Sequence, residues 1–134
     1  MTDLKVKPIK TESDSSCAKI ISDLFSCRDY IHMKHLAERG SGSYARHMAL
    51  GDLYDALAGH IDTIAELMQS YEGLLAISVA KTSAEGDTLK YLESVRTMLI
   101  SKKESHAHMP DVANEMDSLI GSISKTIYKL KFLS

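Results

Sequence analysis

"HMALGDLYDALAGHIDTIAELM", residues His47 to Met68, decides the fold. Leu50, Tyr54, Leu57, Ile61, Ile64 and Met68 recur in alternating steps of four and three, and Tyr71 and Leu75 continue the series. That spacing lays an apolar stripe along one side of an α-helix. The stripe must be covered, so the rest of the chain is read for helices that cover it.

Upstream, Ile20, Ile21, Leu24, Ile31 and Leu36 repeat at helical spacing, with Ser15 and Ser16 as candidate N-caps. Gly40-Ser41-Gly42-Ser43 stops that helix and turns the chain. Downstream, Leu89, Leu92, Val95 and Leu99 form a third stripe behind the N-cap candidate Asp87. Pro110 opens a fourth helix, where its missing N–H costs little. Val112, Met116, Leu119, Ile123, Ile127, Leu130 and Leu133 line its apolar side, and Lys125, Lys129 and Lys131 suit its C-terminal dipole. The pattern predicts an all-α four-helix bundle over residues 15–134, with helices over about 15–39, 44–70, 87–106 and 110–132. Residues 1–14 are polar, carry Pro8 and read as a flexible arm. The stretch from Tyr71 to Gly86 is too long and too apolar for a plain turn, and reads as a short helix crossing one end of the bundle.

Composition limits function. The chain has 134 residues, enough for one domain with its own core. A net charge of -2 gives no general attraction to nucleic acid or to anionic membrane. No apolar run reaches the roughly 18 residues of a membrane span. The first residues lack the apolar segment of a secretory signal, so the cytoplasm is the expected compartment. Cys17 and Cys27, ten residues apart on one helix, are separated by roughly 15 Å and read as reduced core thiols. The seven methionines read as core filler. There is no phosphate-cradling glycine loop and no nucleophile elbow.

What remains is a set of imidazoles and carboxylates, the ligands of divalent iron, manganese and zinc. Asp62 and Glu66 are one turn apart on the second helix. His47 precedes Asp62 by fifteen residues, roughly 22 Å along the same helix. The two cannot hold one ion within a chain. They can across a two-fold axis, with the second helix packed antiparallel on its copy and the axis near Asp55 and Ala56. Ala56, Ala58 and Gly59 are small residues that would allow close approach there. His32 reads as surface, His60 as outside this site, and His106 and His108 as exposed loop polarity. Solvated surface is the plain alternative for all of these side chains.

The segment from His35 to Glu66 resembles the core motif of Dps-type miniferritins, a ferritin-like family. His35 and His47 have the family's twelve-residue histidine spacing. Asp62 and Glu66 fall on its D-x-x-x-E pair within "HIDTIAEL", and Gly40 falls on its turn glycine. The resemblance implies a ferritin-like bundle and a di-iron ferroxidase site between two-fold-related subunits. It implies His35 and His47 as imidazole ligands, Glu66 as the principal carboxylate and Asp62 as a supporting or second-iron carboxylate. It also implies a homo-oligomer built through the second helix, a dimer or a closed dodecamer, that oxidises Fe(II) with peroxide or oxygen and stores iron. Departures are clear. Gly51 stands where the family has its first aspartate, and Leu36 where it has a tryptophan. Neither Asp52 nor Asp55 faces His47 on an ideal helix. The basic DNA-binding tail is reduced to Lys5, Lys7 and Lys10, offset by Asp3, Glu12 and Asp14, which does not favour DNA. The competing expectation is a structural protein on the same bundle with a decayed site, such as a phage virion or assembly component.

Overall fold

The computed structural model describes residues 16–134. The predicted arm over 1–14 and the capping role of Ser15 lie outside the described residues. Four helices are present: α1 Ser16–Ala37, α2 Ser43–Glu72, α3 Thr88–Ser105 and α4 Pro110–Phe132. They form a four-helix bundle in which α1 packs on α2, α2 on α4 and α4 on α3, while α3 touches α1 more lightly.

Local chemistry sets the helix ends. The chain reverses after α1 through Gly40 (φ 90°) and Gly42 (φ 76°), both in the left-handed region that side chains avoid. Arg46 then ties the turn: its Nε–H donates to both oxygens of Glu38 at 2.6 and 3.0 Å, and Nη1 and Nη2 donate to the carbonyls of Ser41 and Arg39. Asp87 caps α3, its carboxylate accepting from the Lys90 N–H at 2.9 Å. Pro110 sits in the first turn of α4.

The stripes meet in one core. Leu24, Ile31, Leu50, Leu57, Ile64, Met68, Leu92, Leu99, Met116, Leu119 and Ile123 are buried, and Leu53 joins them from α2. The buried thiols Cys17 and Cys27 belong to the same cluster. Three predicted stripe residues do not reach it. Leu36 is 69% exposed because it lies about 140° around α1 from Ile31, off the covered side, while Glu38 beyond it still meets Arg46 of α2. Leu133 follows the end of α4 and is exposed, and Tyr71 is exposed with its hydroxyl donating to Asp111.

The expected crossing helix between α2 and α3 is absent. From Gly73 to Asp87 the chain carries no helix. Length explains it. α3 is 18 residues, roughly 27 Å long, and the connection must run back past it to start α3 at the other end. Fifteen residues coiled as helix cover roughly 22 Å, and extended they cover more than 40 Å. The segment runs beside α1: Ser78 N–H donates to Ser22 Oγ at 3.1 Å, and Lys34 Nζ donates to the Gly86 carbonyl at 2.7 Å. α2 and α3 are therefore parallel, joined by one long crossover. No described helix is long and apolar enough to cross a membrane.

Candidate functional site

The tied α1–α2 turn brings His35, near the end of α1, against His47, in the second turn of α2. Their rings stack with centroids 3.7 Å apart and planes 17° from parallel. Nδ1 of His35 lies 2.7 Å from the His47 carbonyl, and Nδ1 of His47 lies 2.8 Å from the His35 carbonyl. A carbonyl only accepts, so both rings carry their proton on Nδ1. That fixes the tautomer and leaves both Nε2 lone pairs for another partner, which is how protein-bound metals are ligated through Nε2.

Gly51 explains its own place. A Cβ at residue 51 would sit 2.9 Å from His35 Cε1 and 3.2 Å from Nδ1. The imidazole occupies the space that a side chain would take. A side chain such as aspartate at 51 and the present orientation of His35 exclude each other.

The two imidazoles do not converge on one ion. Nitrogen lone pairs lie in the ring planes, and planes 3.7 Å apart inclined by 17° meet only about 12 Å away (3.7 Å divided by tan 17°), against a metal–nitrogen bond of about 2.1 Å. A single ion shared by both rings does not fit this arrangement; one ion per imidazole does.

Asp62 and Glu66 are exposed on α2, away from the histidine pair. Among the described residues, no three His, Cys, Asp or Glu side chains of one chain are grouped to hold a metal. Neither acid forms an ion pair among those residues. Asp62 walls a cavity of about 130 Å³ with Phe25, Arg28, Ala58 and Ile61. Of the small residues expected at a helix–helix contact, only Gly59 faces outward, with nothing within 4 Å of its Cβ position. Ala58 turns toward α1, and Ala56 toward α4, where it lines a cavity with Ser122, Lys125 and Lys129.

The other histidines sort by packing. His32, expected at the surface, stacks on Tyr54 with centroids 3.9 Å apart. Arg28 lies over the same tyrosine ring at 4.8 Å, so α1 and α2 are joined by a continuous row of planar side chains from His47 to Arg28. His60 reaches α4, its Nε2 2.9 Å from Ser122 Oγ, and burial holds its pKa below the ordinary value. His106, expected to be exposed, is 5% exposed. Its Nδ1–H donates to the Lys102 carbonyl at 2.7 Å, and Nε2 accepts from Ser16 Oγ at 3.0 Å. Both its nitrogens are used in closing the end of α3 onto the start of α1. His108 is exposed.

Sequence reasoning missed the Cys27–Tyr91–Tyr30 group. Tyr30 and Tyr91 stack with centroids 3.8 Å apart. Burial pushes the Cys27 thiol up to about 12 against a hydrogen bond with Tyr91 that pulls it down. Burial, with the nearby Cys27, also raises Tyr91. The signal available was an i,i+3 Cys-Tyr pair on α1, too common to single out. These groups hold their protons and serve as packing.

The chain matches no curated protein and no solved structure. The sequence profile of the family described as "Family of unknown function (DUF5856)" matches residues 35–130, a span that runs from His35 through both carboxylates into the last turns of α4. The chain belongs to that family.

Proposed function

We propose that this protein is a homo-oligomeric metal-binding bundle that holds iron or related divalent ions between subunits, one on each imidazole of the His35–His47 pair. His35 and His47 come from one protomer, and Asp62 and Glu66 from its two-fold partner. The observation that carries this reading is the paired tautomer lock. Two imidazoles with Nδ1 committed to backbone carbonyls have only Nε2 to offer, and imidazole Nε2 with carboxylate suits iron, manganese and zinc. The separation of His47 from Asp62 along α2 requires the second chain. A bundle with one long crossover, the connection of ferritin-like folds, supports the same reading. Fe(II) would be the substrate, peroxide or oxygen the oxidant, and the cytoplasm the compartment. The residues present bind and orient; Gly51 removes one carboxylate, so turnover rests on fewer ligands than the miniferritin pattern supplies.

Subunit complementation tests it. A His35→Ala/His47→Ala variant and an Asp62→Ala/Glu66→Ala variant each lack one half of both sites as homodimers and bind no ion. Random reassortment of an equal mixture makes about half the dimers mixed, and each mixed dimer has one site intact. Equilibrium dialysis with Mn(II) then reads about a quarter of the wild-type sites. No recovery after verified subunit exchange refutes an intersubunit site.

A second reading has one observation in its favour. The His35–His47 and His32–Tyr54 stacks fill the α1–α2 seam and are complete as packing without any ion. Under it the chain is a structural or virion-assembly bundle. His35→Ala would then lower stability with no metal-dependent readout to lose.

A further inference from the structure

The crossover between α2 and α3 leaves apolar side chains in solvent. Leu74, Ile77 and Val79 are 41, 38 and 47% exposed, close together in a connection that carries no helix. An exposed apolar cluster marks a surface that something else covers. The backbone there is open as well. In an extended chain the N–H and C=O groups of alternate residues share an edge. Ser78 spends its N–H on Ser22 Oγ of α1 at 3.1 Å, so Ile77 and Val79 turn theirs to the opposite edge. Among the described residues nothing accepts from those two N–H groups. Leu75, in step with Ile77 and Val79, has the backbone geometry of a strand bridge, and no residue from 16 to 134 pairs with it.

The chain itself carries a segment of matching chemistry. Ser16 opens α1 beside the start of the crossover: Cys17 Sγ lies 3.5 Å from Glu72 Oε1 at the end of α2. Fifteen residues precede Ser16, and among them Leu4-Lys5-Val6-Lys7-Pro8 alternates apolar with charged before Ile9. That is the period of a strand with one side covered and one in water. Lysines and a proline suit an edge strand, because they discourage a further strand from adding. Residues 4–9 extended cover roughly 20 Å, and residues 10–15 reach roughly as far back to Ser16. The crossover runs away from this end of α1, while the chain before Ser16 runs toward it, so the two lie antiparallel when side by side.

We propose that residues 4–9 add to the outer edge of the crossover as an antiparallel strand, bonding to Ile77 and Val79 and laying Leu4 and Val6 over their side chains. The crossover is thus a strand-addition surface whose occupant is the chain's own arm. It goes beyond the metal reading and does not depend on it.

Amide hydrogen exchange of the full chain, followed residue by residue by NMR in EDTA, tests it. The Ile77 and Val79 amides are expected to exchange at least about tenfold more slowly in the wild type than in a Leu4→Gln/Val6→Gln variant. Ser78, held by Ser22, exchanges alike in both and reports an intact bundle. Lys5→Gln/Lys7→Gln keeps the protection, because those side chains face water. Equal exchange of Ile77 and Val79 in the wild type and in Leu4→Gln/Val6→Gln overturns the proposal. Equal release by both variants makes the attachment one without strand alternation and overturns it too. Protection that grows with protein concentration assigns the strand to a second copy and overturns pairing within the chain.

Discussion

Gly51→Ala separates a pinned His35 from a freely moving one by the sign of its effect. Replacing a mid-helix glycine with alanine stabilises by about 0.5–1 kcal/mol when nothing obstructs the new methyl. Gly121 of α4 provides that reference: it is exposed, and nothing lies within 4 Å of its Cβ position. At Gly51 the methyl meets His35 Cε1 at 2.9 Å and Nδ1 at 3.2 Å. A single exposed imidazole would swing aside at little cost. This one would have to give up its bond to the His47 carbonyl, worth about 0.5–1.5 kcal/mol net. It would also lose its stack on His47, worth about 0.5–1.5 kcal/mol. Against the helix gain, the balance is a net loss of about 1 kcal/mol at the centre of these ranges, and of about 2.5 kcal/mol at most. Urea unfolding followed by circular dichroism reads both variants: Gly121→Ala should raise the midpoint and Gly51→Ala should lower it. The change is not expected to shrink the surface exposed on unfolding, so the slope should stay constant. In a His35→Ala background the obstruction is gone, and Gly51→Ala should then stabilise as Gly121→Ala does. The coupling between residues 35 and 51 is the difference between the two backgrounds. If Gly51→Ala raises the wild-type midpoint as much as Gly121→Ala, the ring is not held, and the tautomer argument for metal binding loses its footing.

Other outcomes follow from the same contacts. Arg46→Ala removes the Glu38 pair and two carbonyl bonds from the α1–α2 turn, and should cost about 2–3 kcal/mol in urea unfolding; Arg46→Lys should recover little, because an ammonium cannot serve all three directions. Cys27 keeps its proton when folded up to about pH 12, while the unfolded thiol ionises near pH 9. The unfolded state thus binds fewer protons across that window, and stability should fall as pH rises from 9 to 12, by on the order of 1.4 kcal/mol per pH unit at the steepest. Cys27→Ala should flatten that slope, and native Cys27 should resist alkylation at pH 8. His60 shifts the other way: its folded pKa lies below the ordinary value, so its contribution is present above about pH 6.5 and is lost as pH falls below it. A His60→Gln variant should show a smaller drop in urea midpoint between pH 7 and pH 5.

The helices were legible because their information is local and periodic. α2 needs only the steps from Leu50 to Met68, and α3 and α4 announce their starts through Asp87 and Pro110. The crossover was misread because Leu74 to Ala80 is apolar enough to suggest burial as helix. The deciding constraint, the distance back along α3, belongs to the assembled bundle and to no window of sequence. Leu36 failed because a step of five from Ile31 leaves the helical period, and Leu133 because it lies past the end of α4. A stripe predicts which side of a helix is covered, but how far along it the neighbours reach depends on where those neighbours end.

Of the candidate site, the adjacency of His35 and His47 was legible in the sequence and its geometry was not. Spacing alone placed His35 and His47 on facing helices and put Asp62 out of reach on the same chain. What spacing could not give is the direction of each ring, which is set by the His35 carbonyl, left without a helix partner in the last turn of α1, and by the His47 carbonyl, which takes the His35 ring as an additional donor. Gly51 shows the cost of reading positions one at a time. By motif it is a deletion, a ligand position emptied. By geometry it is the clearance that lets His35 lie flat on His47 with its Nδ1–H on a backbone carbonyl. The same residue therefore weakens the likeness to a three-carboxylate site and strengthens the case for two oriented imidazoles. The acids that the proposed site needs, Asp62 and Glu66, stand exposed on α2 with no ion pair among the described residues, so the sequence spacing that put them out of reach of His47 holds in the folded chain.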